Sequence, residues 1–146
     1  MIDKKWIGHE VGHSVLPIER SRLQFFAKAI GDTNPIYTDL QAARQAGYAD
    51  LPAPPTFLFA AELDSGALFG LLDLLQVPHA KVLHGEEGFE YFGSVVAGDT
   101  VTVSSYVKDI YDKKGGALEF IEIESNVWNQ RGEQVARMRS VTVVRH

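Results

Sequence analysis

The sequence predicts an α+β domain in which helices come first and an antiparallel sheet follows, curling over one hydrophobic helix. Three observations predict it. Apolar residues recur at helical spacing in the first half, where Leu23, Phe26, Ala27 and Ile30 share one face. The segment from Thr56 to Leu63 is apolar on nearly every side, the mark of a buried helix. From Lys81 onward the period changes to two, in four strand-like runs divided by turn formers.

Residues 12–18 read as a short strand or an extended lead-in. Glu19–Ile30 reads as an amphipathic helix, stopped by Gly31. Asp39–Ala46 forms a second short helix, ended by Gly47. Pro52, Pro54 and Pro55 then exclude regular structure, although Pro55 suits the first turn of a helix. Leu68–Leu75 either continues the apolar helix or forms a lid. The strand-like runs are Val82–Phe92, Thr100–Tyr111, Leu118–Asn129 and Gln134–Arg145, read as an antiparallel meander. Lys113–Gly116 and Asn129–Gly132 look like hairpin loops.

Composition narrows the function. The 146 residues suit one domain, 1–146, and 45% hydrophobic residues allow a core without metal or disulfide staples. There is no cysteine, so disulfides, thiolate zinc sites and cysteine nucleophiles are excluded. A net charge of -5 argues against nucleic acid as a partner, since phosphate binding wants a basic face. No apolar run approaches the roughly 20 residues a membrane span needs, and no signal peptide is visible. No membrane partner and a cytoplasmic location are therefore expected.

The chemistry concentrates in Phe25–Tyr37, FFAKAIGDTNPIY. Asp32 follows a helix on a loop fixed by Gly31 and Pro35, and Asn34 adds an amide that donates and accepts. A carboxylate held there serves as a general base if a partner group handles the second proton. The same residues also make an ordinary turn, because Gly-Asp-x-Asn-Pro is rich in turn formers.

This segment resembles the hydratase motif of the MaoC-like family, which includes the (R)-specific enoyl-CoA hydratases. The family pattern runs Gly-Asp-x-Asn-Pro-hydrophobic-His, and this chain supplies Gly31, Asp32, Asn34, Pro35 and Ile36. GYADLPAPPTF (Gly47–Phe57), HGEEGFEYFGSVVAGDTV (His84–Val101) and KKGGALEFIEIESNVWNQRGE (Lys113–Glu133) resemble the blocks of the N-terminal-type dehydratase domain in matching order. The resemblance implies a hot-dog fold, a helix wrapped by an antiparallel sheet, in homodimers or heterodimers. It implies reversible addition of water to a 2-enoyl thioester, with a CoA thioester as substrate and no separate cofactor. In the family, the motif Asp and His activate water, and a backbone N–H at the start of the central helix polarises the thioester carbonyl.

The sequence departs from that motif twice. Tyr37 stands in the His position, and a tyrosine with an ordinary pKa of about 10 is a poor base at neutral pH. Pro55 stands near the position of a family Gly whose N–H faces the thioester, and proline has no N–H. The N–H of Thr56 or Phe57 is then the candidate donor. Similar losses occur in family members that work with a second hot-dog subunit carrying the Asp/His pair, so a MaoC-like partner is expected.

The candidate catalytic residues are accordingly Asp32, Asn34 and Tyr37, with Tyr37 as a hydrogen-bond donor. Thr56, Phe57, Phe59 and Leu63 would bind or channel the acyl thioester. His84 is a further candidate, since histidine titrates near neutrality and lies at i, i+2 from Glu86 on one strand face. It equally suits a sheet edge or an interface. Glu86, Glu87 and Glu90 read as a solvated or interfacial face, and no ligand spacing marks a metal site. Arg137, Arg139 and Arg145 suit either CoA phosphates or an exposed stripe. The leading function is a hydratase/dehydratase subunit. The alternatives are a non-catalytic acyl-CoA-binding or structural subunit and, less well supported by Asp-x-Asn-Pro, a thioesterase.

Overall fold

The computed structural model describes residues 1–146. Strand β1 (Glu10–Pro17) leads into helices α1 (Arg20–Ala29) and α2 (Leu40–Gln45). Helices α3 (Phe59–Asp64) and α4 (Ala67–Leu74) follow, then strands β2 (Val82–Tyr91), β3 (Thr100–Lys113), β4 (Leu118–Trp128) and β5 (Gln134–Arg145). The lead-in is thus a full strand. All pairings are antiparallel, in the order β1-β3-β4-β5-β2. This is the α+β, hot-dog arrangement that the sequence predicts.

The expected meander from Val82 is corrected in one respect. Strand β2 does not pair with β3; it lies at the far edge, beside β5. The connection from β2 to β3 is too long for a tight turn and is held along its way by other segments. The Phe92 N–H donates to the Val135 carbonyl at 2.9 Å, the Ala97 N–H to Leu51 at 2.8 Å, and the Gly98 N–H to Ile18 at 2.9 Å. Those bonds carry the chain across the end of the sheet.

Alternation decides which side chains face the helices. Val101, Val103, Ser105 and Val107 of β3, Ile121, Ile123, Ser125 and Val127 of β4, and Ala136, Met138 and Ser140 of β5 are all buried. Leu16, Leu23, Phe57, Leu58, Ala61 and Met138 belong to one apolar cluster. Leu71, Leu72, Val107, Ile110, Ile121, Ile123 and Val144 form a second. Leu68–Leu75 is therefore no lid, because α4 packs Leu71 and Leu72 into that second cluster. The break between α3 and α4 falls at Gly66, in the left-handed region at φ 68°, ψ 6°. The Ser65 hydroxyl holds it, donating to the Glu62 carbonyl at 2.7 Å and accepting from the Ala67 N–H at 3.1 Å.

The reading of Thr56–Leu63 as a helix apolar on all sides is also corrected. Pro55–Leu58 forms a single 3-10 turn before α3 begins. Within α3, Glu62 is 7% exposed while Leu63 is 49% exposed. The helix lies in the trough of the sheet with one face outward, so position on the helix outweighs residue type.

Helix α4 presses closely on β1. A Cβ added at Gly12 would lie 2.6 Å from the Ala67 Cβ. Neither atom can swing aside, so Gly12→Ala is expected to reduce the unfolding free energy by about 1–3 kcal/mol. Urea denaturation, read as a lower midpoint at unchanged slope, measures this.

Candidate functional site

The motif loop is built from two side-chain turns in series. Asp32 Oδ1 accepts the Asn34 N–H at 2.9 Å, and Asn34 Oδ1 accepts the Ile36 N–H at 3.2 Å. Asn34 thereby caps the short 3-10 turn Pro35–Tyr37, and Pro35 fits its first position. The Asn34 backbone orients Asp32, while its side-chain oxygen serves the next turn.

Asp32 and Tyr37 line different hollows. Tyr37 faces one of about 200 Å³ with Tyr48, Pro54, Pro55, Leu58 and Tyr91. Asp32 faces a neighbouring hollow bordered by Gln24, Phe25, Lys28 and Thr38. They still sense one another. Burial, then the charge of Asp32 and then Tyr48, push the Tyr37 hydroxyl above the usual tyrosine range. Tyr37 in this state holds its proton, so it donates a hydrogen bond and does not act as a base.

The start of the central helical segment borders the Tyr37 hollow. The Phe57 N–H donates to the Pro54 carbonyl at 2.9 Å and is committed there, whereas the Thr56 N–H has no such carbonyl partner. Tyr91 donates its hydroxyl to the Pro55 carbonyl at 2.6 Å and pins this turn against β2. Phe57 is core, 2% exposed, with its ring edge-on to Phe26 at 5.4 Å. Phe59 is half-buried and meets the His84 ring at 5.3 Å. Leu63 faces outward, away from the Tyr37 hollow's lining.

The pairing of His84 with Glu86 on one face is overturned by a bulge. The register of β2 against β5 shifts between His84, opposite Thr142, and Glu86, opposite Val141. Gly85 is the extra residue. A Cβ there would meet Val143 Cγ2 at 2.7 Å and the Val141 carbonyl at 3.0 Å, so the bulge needs glycine. The slip sends Glu86 outward and turns Glu87 inward with His84, whose Nε2 lies 3.7 Å from Glu87 Oε2. Glu87 is thus not part of a solvated face.

That inward turn assembles a polar cluster that the sequence reading missed. Ser125 donates to Glu62 Oε2 at 2.7 Å, and Ser140 reaches Glu62 Oε1 at 3.4 Å. The Ser125 proton being committed, Ser105 is the donor in the 2.7 Å bond between the two serines. Burial raises the Glu62 pKa, against the hydroxyls and His84, which lower it. Burial, then the neighbouring Glu62 charge, push Glu87 up to about 8. Two signals were in the sequence: Glu62 interrupts an apolar run, and Gly85 interrupts an alternating one.

On the outer face, Arg139 bonds Glu86 at 2.8 Å and Glu122 at 2.9 Å, and Arg137 reaches Glu90 at 3.4 Å. These two guanidiniums are neutralised within the chain, in agreement with the exposed-stripe reading. No helix is long and apolar enough to cross a membrane.

Residues 5–138 match the family model described as FAS1-like, dehydratase domain region. The chain belongs to that family. A UPF0336 protein of Streptomyces avermitilis is 35% identical over 140 residues, covering 92% of each chain. Another, from Leifsonia xyli, is 38% identical over 133 residues, covering 88% of this chain and 85% of the relative. Among solved structures, a chain of the HadBC (3R-hydroxyacyl-ACP dehydratase) complex of Mycobacterium tuberculosis superposes with TM-score 0.78. It has 18% identity and covers 98% of this chain and 99% of that one. A MaoC-like dehydratase superposes at 0.83 with 23% identity, covering 95% of this chain and 42% of the other. At these identities the superpositions establish the hot-dog fold.

The raised pKa of Glu87 gives a pH signature. Its folded value lies above the unfolded value near 4.5, so its contribution to stability is complete below about pH 4.5 and is lost as pH rises toward about 8. Glu87→Gln is expected to raise the melting temperature at pH 8 and above, and to flatten the decline between pH 5 and 8. Thermal unfolding across that range checks both; an unchanged profile rules out Glu87 as its source.

Proposed function

We propose that this chain is one subunit of an acyl-thioester hydratase/dehydratase, completed by a second hot-dog subunit that carries the Asp/His pair. Its substrate would be a 2-enoyl-CoA thioester or the corresponding 3-hydroxyacyl-CoA. One observation carries this reading: no acid/base pair converges on one cavity. Tyr37, in the His position, faces the proline turn with a pKa raised above its ordinary value, and Asp32 opens on a separate hollow. Family membership supports the dehydratase chemistry. The Thr56 N–H, unbonded at the start of the helical segment and beside the Tyr37 hollow, is the candidate for polarising the thioester carbonyl. The half-buried Phe59 would support the acyl chain, and the cluster at His84 lies beside it.

The chain alone is expected to hydrate crotonyl-CoA no faster than a buffer control, and co-expression with a MaoC-like partner bearing an intact Asp/His pair should bring activity. Full activity from the purified chain would overturn the partner requirement. In the assembled complex, unchanged turnover by Asp32→Asn would make Asp32 structural.

Tyr37→His tests the same geometry from the other side. Restoring the motif residue alone is expected to leave the isolated chain inactive, because Asp32 lines a different hollow. Crotonyl-CoA hydration above background by this variant would sink that explanation.

A further inference from the structure

Four carboxylates point out of solvent toward the interior, and three of them have partners. Asp99 accepts the Val96 N–H at 3.0 Å and the Gln130 amide at 2.7 Å. Glu119 accepts the Ile2 N–H at 2.6 Å and bonds His146. Glu62 takes the Ser125 and Ser140 hydroxyls. Glu87 is the exception. Both of its oxygens are shielded from solvent with no hydrogen-bond partner, and His84 at 3.7 Å is too far to serve. Buried polar atoms in folded proteins are satisfied almost without exception, so the orphaned pair on Glu87 calls for a donor from outside this chain.

The position of Glu87 says where that donor comes from. Strand β2 is one edge of the sheet, so one side of its backbone is unpaired. The opposite edge, β1, ends in Pro17, which cannot donate to a ladder. Strand β2 contains no proline and runs for 10 residues. Leu63 on α3, Leu83 and Tyr91 on β2, and Phe92 just beyond it are each about half exposed, and they give this edge an apolar border. Its outward glutamates, Glu86 and Glu90, are already matched by Arg139 and Arg137. Only the inward one lacks a cation.

A second copy of this chain is a poor occupant. Antiparallel strands related by a two-fold axis pair residues symmetrically about the centre. Centring on Glu86 sets Glu86 against Glu86, and centring on Glu87 sets Glu87 against itself. Centring on Gly88 sets Glu86 against Glu90. Like charges directly opposite are destabilising, most of all where Glu87 is shut away from water.

We propose that the free edge of β2 receives an edge strand from a different subunit, one that presents a lysine or arginine toward Glu87, and that Glu87 excludes a second copy of this chain. This rests on the two-subunit reading above and names the chemistry of the partner's edge. The ion pair would close off the polar cluster of Glu62, Glu87 and His84, while the apolar border adds the desolvated surround that strengthens it.

Sedimentation velocity on the full chain at neutral pH tests this without measuring turnover, so it stands or falls separately from the hydration assays. The probes are the wild type, Glu87→Gln, Glu87→Lys, and an equimolar mixture of wild type with Glu87→Lys, in which one copy supplies the missing cation. Glu87→Gln should self-associate about tenfold more tightly than wild type, and the mixture should exceed either of its components by a similar factor. Thermal unfolding confirms that each variant is folded, and Glu87→Gln alone suffices if the lysine variant is not. A wild-type dimer as tight as that of Glu87→Gln overturns the proposal. So does an association constant that no variant changes.

Discussion

The molecule depends on one constraint: the helical segment from Pro55 to Leu74 must lie in the trough of the sheet even though it carries a carboxylate. An apolar residue in place of Glu62 would suit the surrounding valines and isoleucines without further arrangement. Glu62 instead requires hydroxyls, and the sheet provides them as Ser105, Ser125 and Ser140 on three successive strands. The small size of serine lets the helix approach closely, and its hydroxyl replaces the water lost on burial. The polar row falls between two apolar clusters, with α3 over one and α4 over the other. The turn at Gly66 lets a single stretch of chain cover both.

The same economy governs the loop that carries the family motif. Asp32 and Asn34 each accept a backbone N–H two residues ahead, so both side chains shape the loop as well as being available for chemistry. Such a loop keeps its form whether or not a catalytic partner follows it. That explains how the motif backbone persists with Tyr37 in the final position. It also shows why matching the motif residues identifies a family more securely than it identifies a reaction.

Much of the fold was legible in the sequence. Period-two alternation located β3, β4 and β5 to within one or two residues, because each buries one face and leaves the other to solvent. The order of the strands was not legible. Local alternation contains nothing about which neighbour a strand chooses, and β2 lies beside β5 through loop bonds to Leu51, Ile18 and Val135. For the site, the motif marked the loop at Asp32 but not the hollow into which each side chain opens. The buried pair was hidden for two reasons. Counting apolar neighbours around Glu62 obscured Glu62 itself, and strict alternation through His84–Glu87 ignored the residue that Gly85 adds. A glycine inside an alternating run is the place to expect such a slip.

The Gly85 bulge has a consequence for the chain before it meets any other molecule. A flat unpaired strand is a template on which further strands can grow without limit, which is the route to fibres. A bulge bends and twists the strand locally, and by moving the register one step it places a glutamate on the sheltered side. Each new strand laid on that edge would have to dehydrate a further carboxylate. One glycine thereby protects the newly made subunit from runaway stacking.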